Sequence, residues 1–209
     1  AGAVPPASLG EAAGPVGPCL KGFRLPGGRR LRISIPPEKW IFCMKYLSTR
    51  GGCIQEGASQ CFISGIASDG GLFVPECFPS VSLEEIVSLK DLSYSQRCAF
   101  ILSRYLEDFT PDELKKCVSS AYDRGSFDCA ERAPLKQFYG NAYMLELWHG
   151  PTLAFKDMAL QLLPQLLVTA KRKLDRREIT LILVATSGDT GKAALEGFCD
   201  VEGLSLIHI

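Results

Sequence analysis

Apolar positions recur at helical spacing through the middle of the chain, and two of three such stretches carry start signals. Ser82-Leu83-Glu84-Glu85 is a capping box that opens a short helix, with Ser82 as N-cap and Glu85 reaching back. Around residues 95–107, Ala99, Ile101, Leu102, Tyr105 and Leu106 form a broad stripe, which predicts a helix buried along that face. The next helix is the best marked. Thr110 caps it, Pro111 takes the first helical position, and Glu113 completes a second capping box. Leu114, Cys117, Val118, Ala121 and Tyr122 then follow i, i+3, i+4, i+7, i+8, and Gly125 marks the end. These three helices read as packing elements without chemistry of their own.

The texture changes after a polar stretch. Tyr143-Met144-Leu145-Glu146-Leu147-Trp148 predicts a strand leading into His149-Gly150-Pro151-Thr152. A long helix is expected from about Leu153 to Leu174, with Met158, Leu162, Leu163, Leu166 and Leu167 apolar and a kink at Pro164. Lys171, Arg172, Lys173, Arg176 and Arg177 fall at and beyond its C-terminus, where cations suit the macrodipole; they read as a solvated helix end. Ile179 to Ala185 is short, unbroken and apolar, the pattern of a strand buried on both faces. It ends in Thr186-Ser187-Gly188-Asp189-Thr190-Gly191, and a further helix starts near Lys192. Strand, small polar loop and helix make a parallel α/β unit. No internal repeat is visible.

Composition sharpens the two ends. The 209 residues are 46% hydrophobic with 23 basic and 23 acidic side chains, enough apolar material to exclude wholesale disorder. Zero net charge argues against a protein built mainly to bind nucleic acid or an anionic membrane surface. No apolar run approaches the roughly 18 residues of a membrane span. Residues 1–43 hold six basic and two acidic residues and seven of the 13 prolines, with neither helical nor strand periodicity. They read as a disordered or non-native leader before a start at Met44. Organellar targeting is the weaker alternative, because prolines and glycines oppose an amphipathic helix. Nine cysteines without a C-x-x-C pair, and only two histidines, give no support to a metal site. They favour a reducing, cytoplasmic compartment.

Three features could carry chemistry. In the loop 186–191, backbone N–H groups at a helix N-terminus favour an anion, and Thr186, Ser187 and Thr190 add hydroxyl donors. The loop matches neither the Walker A pattern nor G-x-G-x-x-G, and the plain alternative is a turn whose Asp and Gly cap the helix. Lys156, among Leu153, Ala154, Phe155 and Met158, is either a desolvated amine usable as nucleophile or base, or a lysine snorkelling from a helix edge. His149, before Gly-Pro, reads as a hydrogen-bonded turn residue rather than a general base.

Together these features are more specific. Leu147-Trp148-His149-Gly150-Pro151-Thr152-Leu153-Ala154-Phe155-Lys156-Asp157, followed by Ala185-Thr186-Ser187-Gly188-Asp189-Thr190-Gly191, resembles the threonine synthases. Met44-Lys45-Tyr46-Leu47-Ser48-Thr49-Arg50-Gly51 and Gly65-Ile66-Ala67-Ser68-Asp69-Gly70-Gly71-Leu72-Phe73-Val74-Pro75-Glu76 resemble the family's N-terminal elements in the same order. The resemblance implies an α/β fold of pyridoxal-phosphate type II, tryptophan synthase β-like, preceded by a small helical N-terminal domain. It implies that Lys156 holds pyridoxal 5'-phosphate covalently and, when freed, shuttles protons between substrate carbons. Thr186, Ser187, Gly188 and Thr190 would grip the substrate carboxylate, with Asp189 near the cofactor ring. The implied reaction converts O-phospho-L-homoserine and water to L-threonine and phosphate.

The resemblance also implies that the loop for the cofactor's phosphate and the hydroxyl facing its pyridine nitrogen lie C-terminal to residue 191, beyond what 18 further residues can supply. The expected division is a leader over 1–43, an N-terminal domain over 44–140 and the start of the cofactor domain over 141–203. Residues 204–209 could form a strand, but they also match the translation of a sequencing adapter, so His208 carries no functional weight. The expected chain is thus an inactive N-terminal portion of a cytoplasmic enzyme with a small-molecule substrate and neither nucleic-acid nor membrane partner. Two alternatives stand: a related lyase acting on another O-phosphorylated amino acid, and a non-catalytic threonine synthase-like module.

Overall fold

Both capping boxes read in the N-terminal half start helices, and a third, unread box at Ser93 starts the helix expected around 95–107. The computed structural model describes residues 44–52, 57–186 and 188–209, so the leader expected over 1–43 and Ser187 lie outside it. A short strand β1 (Tyr46–Ser48) pairs antiparallel with β2 (Phe73–Pro75), Tyr46 opposite Pro75, and helix α1 (Ala58–Ser64) lies between them in sequence. The two N-terminal stretches singled out above thereby meet. Asp69 accepts from the Ser48 hydroxyl at 2.6 Å and from the amides of Gly52 and Gly71 at 2.9 Å each. A Cβ on Gly71 would stand 2.1 Å from Ser48 Oγ, so only glycine permits this junction.

Helices α2 (Leu83–Ser88), α3 (Tyr94–Tyr105) and α4 (Pro111–Tyr122) follow, each with a reciprocal capping box: Ser82 with Glu85, Ser93 with Gln96, Thr110 with Glu113. All five residues expected to face inward on α4 are buried. On α3 the stripe is narrower than expected: Ala99 and the C-cap Leu106 are buried, whereas Ile101 is exposed. The main core joins Ala99, Leu106, Phe109, Leu114, Val118 and Tyr122 to Leu162, Leu166 and Ala170 from further along the chain. It thus runs across the boundary expected at residue 140.

The polar stretch hides a strand. β3 (Leu135–Tyr139) pairs antiparallel with β4 (Ala142–Leu145), and a register shift between Gln137 and Tyr139 breaks the alternation that would have revealed it. Both strands are exposed along their length, and β4 ends three residues before Trp148.

The expected long helix over 153–174 is instead two. α5 (Asp157–Leu160) is one turn, and α6 (Leu163–Lys173) starts again around Pro164. Pro164 has no N–H to offer Leu160 O, so the ladder breaks rather than kinks. Leu162 N–H turns to Ala159 O at 3.1 Å, and the Tyr122 hydroxyl donates to Met158 O at 2.6 Å. Leu153 is no helix start either: at φ 60° it lies in the turn before α5. The solvated-end reading fails for Lys171, which is buried and donates to Thr180 Oγ1 and Gly203 O at 2.9 Å each and to Glu178 O.

Strand β5 (Thr180–Val184), helix α7 (Asp189–Phe198) and strand β6 (Leu204–His208) complete the chain, with β5 and β6 parallel and Thr180 opposite Leu204. Ile182, Val184, Leu204 and Leu206 face a second cluster with Leu167, Ala194 and Phe198. Leu181, Leu183 and Ile207 on the other face are exposed. Among the described residues, β5 is therefore buried on one face, not two. No described helix is long and apolar enough to cross a membrane, and no described group of side chains could hold a metal ion.

Candidate functional site

The turn 149–156 owes its shape to one buried carboxylate. Asp157 is fully buried and accepts from both the amide and the hydroxyl of Thr152, each at 2.8 Å. A Cβ on Gly150 would stand 2.5 Å from Asp157 Oδ2, so a side chain there would displace the carboxylate. Leu153 N–H closes the turn onto Gly150 O at 3.1 Å. Lys156 follows as the residue that caps α5. Its side chain is half-buried, with Nζ 4.9 Å from the centroid of the Phe155 ring. Among the described residues it forms no ion pair and no hydrogen bond through Nζ, so the amine is available for chemistry.

His149, at the start of this turn, lies between two carboxylates. Nδ1 is 2.6 Å from Asp128 Oδ1 and Nε2 is 2.9 Å from Glu146 Oε2. The hydrogen bonds to Glu146 and then Asp128 raise the imidazole pKa above its ordinary 6.5. The expectation of a hydrogen-bonded turn residue holds.

The second part of the site is the loop after β5. Gly188 is the N-cap of α7, no side-chain cap forms there, and the helix starts at Asp189, three residues earlier than expected. Gly188 N–H reaches Thr186 Oγ1 at 3.3 Å, while Gly191 and Lys192 return their amides to Gly188 O. Gly191 lets Thr186 O approach to where a Cβ would be only 2.6 Å from it. Gly188, Asp189 and Thr190 are exposed and Thr186 is half-buried. The helix N-terminus thus presents backbone donors that no described side chain occupies. His208 Nε2 lies 3.0 Å from Thr186 O, at the same strand edge.

Two contacts bring the parts together. Lys192 Nζ donates to Thr152 O at 3.3 Å, which ties the first turn of α7 to the turn that precedes Lys156. At the other end of α7, Gly197 permits close contact with α5, a Cβ there falling 2.1 Å from Leu160 O. A groove of about 650 Å³ runs between Pro151, Thr152 and Leu153 on one side and Lys192, Leu195 and Cys199 on the other. The turn that precedes Lys156 and the first turn of α7, which follows the 186–191 loop, are thus tied together. Asp157, Thr152, Gly150, Lys192 and Gly197, which hold them in place, were not legible as site residues, since no spacing pattern links Gly150 to Asp157 or Gly197 to Leu160.

Lys156 before a one-turn helix, and a parallel β-α-β unit whose helix N-terminus is open, are the features from which the resemblance implied the N-terminal part of a type II pyridoxal-phosphate fold. A family model described as "Threonine synthase N terminus" matches residues 45–122. Threonine synthase from Pseudomonas aeruginosa is 44% identical over 170 residues, covering 79% of this chain and 35% of that protein. Threonine synthase-like 1 from Homo sapiens is 42% identical over 143 residues, 67% of this chain and 19% of that protein. The crystal structure of PLP-bound threonine synthase from Brucella melitensis superposes with a TM-score of 0.74 at 37% identity, covering 79% of this chain and 35% of that one. The chain matches the N-terminal portion of the threonine synthases. It spans about a third of the length of the threonine synthases it matches.

Proposed function

We propose that the protein to which this chain belongs is a threonine synthase, a cytoplasmic pyridoxal-phosphate-dependent lyase. It would convert O-phospho-L-homoserine and water to L-threonine and phosphate. The observation that carries this reading is the Lys156 amine, without an ion pair among the described residues, on a turn that Thr152 and Lys192 tie to the open N-terminal turn of α7. Bound at Lys156, pyridoxal phosphate supplies the electron sink that lets a proton leave a substrate carbon.

The residues of this chain would do the rest. Lys156 Nζ attaches the cofactor and, once released, takes a proton from one substrate carbon and returns it to another. The amides at the start of α7, with Thr186, Ser187, Gly188 and Thr190, would hold the substrate carboxylate, and Asp189 would help hold the cofactor. Asp157 holds the turn that aims Lys156. In this reading residues 44–140 are an N-terminal domain and 141–203 begin the cofactor domain, whose phosphate loop lies further along the family's length.

The test is threonine and phosphate release from O-phosphohomoserine by the complete protein with cofactor. Release that disappears in Lys156→Ala supports the reading; neither product from the wild type overturns it. Similarity to threonine synthase-like 1 favours a second reading, a lyase for another O-phosphorylated amino acid. Phosphate release from such a compound, without threonine formation, would select it. The 209-residue chain alone is expected to show no stable cofactor absorbance band; a band abolished by Lys156→Ala would contradict that expectation.

A further inference from the structure

The two carboxylates that flank His149 have no other described cationic partner. Asp128 belongs to the segment after α4 and Glu146 directly follows β4, and neither hydrogen-bonds a described lysine or arginine. Arg132, on the same segment as Asp128, is committed elsewhere: it donates to Tyr122 O at 2.7 Å and Cys129 O at 2.8 Å and lies 3.8 Å from Asp123. Trp148, whose ring is centred 5.7 Å from the imidazole, adds no charge. A neutral imidazole has one N–H and would turn a lone pair toward a carboxylate on its other side. Only the imidazolium donates to both.

The same junction is closed a second time by backbone, Asp128 N–H donating to His149 O at 3.0 Å. From there the chain of contacts to the lysine is short. Gly150 follows His149 and lies against the Asp157 carboxylate, Asp157 holds Thr152, and Lys156 adjoins Asp157. We propose that His149 is a positioning residue: as an imidazolium bridging Asp128 and Glu146, it clamps the turn that carries Lys156, and its deprotonation loosens that turn. The clamp stands on this geometry; only its consequence for catalysis rests on Lys156 being the cofactor lysine. Because the folded-state pKa is raised, the clamp is intact below the ordinary 6.5 and is lost as pH rises through the folded value.

The test uses the 209-residue chain and NMR. His149 and His208 are the only histidines, so His208→Gln assigns the imidazole signals. The expected result is a His149 pKa above 6.5, lowered in both Glu146→Gln and Asp128→Asn, with both ring nitrogens protonated at pH 6. Amide exchange at Thr152, measured at pH 6, is expected to quicken about tenfold in each variant as local opening becomes easier. An unshifted His149 pKa overturns the proposal. So does Thr152 exchange that ignores both variants, since a histidine that is merely paired would not transmit to the turn. Failure of Lys156 to take cofactor in a complete protein whose His149 titrates as expected would defeat the functional reading and leave the clamp standing.

Discussion

Replacing Gly197 with alanine should destabilise the protein, although helix propensity alone says the opposite. Gly197 is buried within α7, and a Cβ there would sit 2.1 Å from Leu160 O and 2.8 Å from its carbonyl carbon. Ordinary contact begins at 3.4 Å, so α7 must retreat about 1.3 Å from α5. Both obstructing atoms are backbone, which cannot swing aside as a side chain end can. Overpacking of this kind costs about 3 kcal/mol, the upper part of the usual range. Alanine returns about 1 kcal/mol of helix propensity, leaving a net loss of about 2 kcal/mol. For a chain of this size that corresponds to a melting temperature lower by about 4–8 °C. Thermal unfolding followed by circular dichroism measures it. Gly188→Ala, with nothing within 4 Å of the added Cβ, serves as the control and should change stability by less than about 1 kcal/mol. A Gly197→Ala variant that melts at or above the wild-type temperature would refute the close approach of α5 and α7.

Three other outcomes follow from single contacts. Tyr122→Phe removes the donor to Met158 O in the core and should cost about 1–3 kcal/mol in urea unfolding; a neutral effect would mean that carbonyl finds water. Lys171→Met keeps the aliphatic stem but strands the acceptors Glu178 O, Thr180 Oγ1 and Gly203 O, with an expected loss of about 2–3 kcal/mol read from the denaturant midpoint. For Asp69, the Ser48 hydroxyl and then the Gly71 amide lower the pKa below its ordinary 3.8. Its contribution is present above that value and lost as pH falls through the depressed one, so wild-type stability should drop more steeply at acid pH than that of Asp69→Asn. Parallel acid profiles of the two proteins would contradict this.

Legibility tracked the range of the signal. Capping boxes and the i, i+3, i+4 stripe of α4 are local, and Ser82, Thr110 and the buried set from Leu114 to Tyr122 were readable before any fold was known. The loop 186–191 was readable for the same reason, as small polar residues between an apolar strand and a helix. Misreadings arose where a partner distant in sequence decides the outcome. Lys171 looks like one more cation in a solvated run, and its acceptors on Glu178, Thr180 and Gly203, the last 32 residues on, reveal that its ammonium is enclosed. Strand β5 reads as doubly buried because its composition is apolar throughout, yet Leu181 and Leu183 face outward among the described residues. Strand β3 escaped notice because a register shift interrupts its period of two, although its partner β4 was expected in part as the strand from Tyr143.

The break at Pro164 explains why the lysine's surroundings involve the core at all. An uninterrupted helix from 153 to 174 would hold Lys156 by its own ladder, with little need of neighbours. Ended by the missing N–H, α5 is a single turn of four residues, too short to be stable by itself. Its freed Met158 O accepts from the Tyr122 hydroxyl of α4, and Gly197 of α7 packs closely against Leu160 O. Asp157 fixes its other end to Thr152, and Lys192 ties that turn to α7. Lys156 is therefore held by contacts from α4, α7 and the turn at Thr152 rather than by local helix propensity. On this account Tyr122→Phe and Gly197→Ala, which touch neither Lys156 nor the 186–191 loop, should each raise amide exchange at Thr152. Changes of equal cost on α2, which supplies none of these contacts, should not.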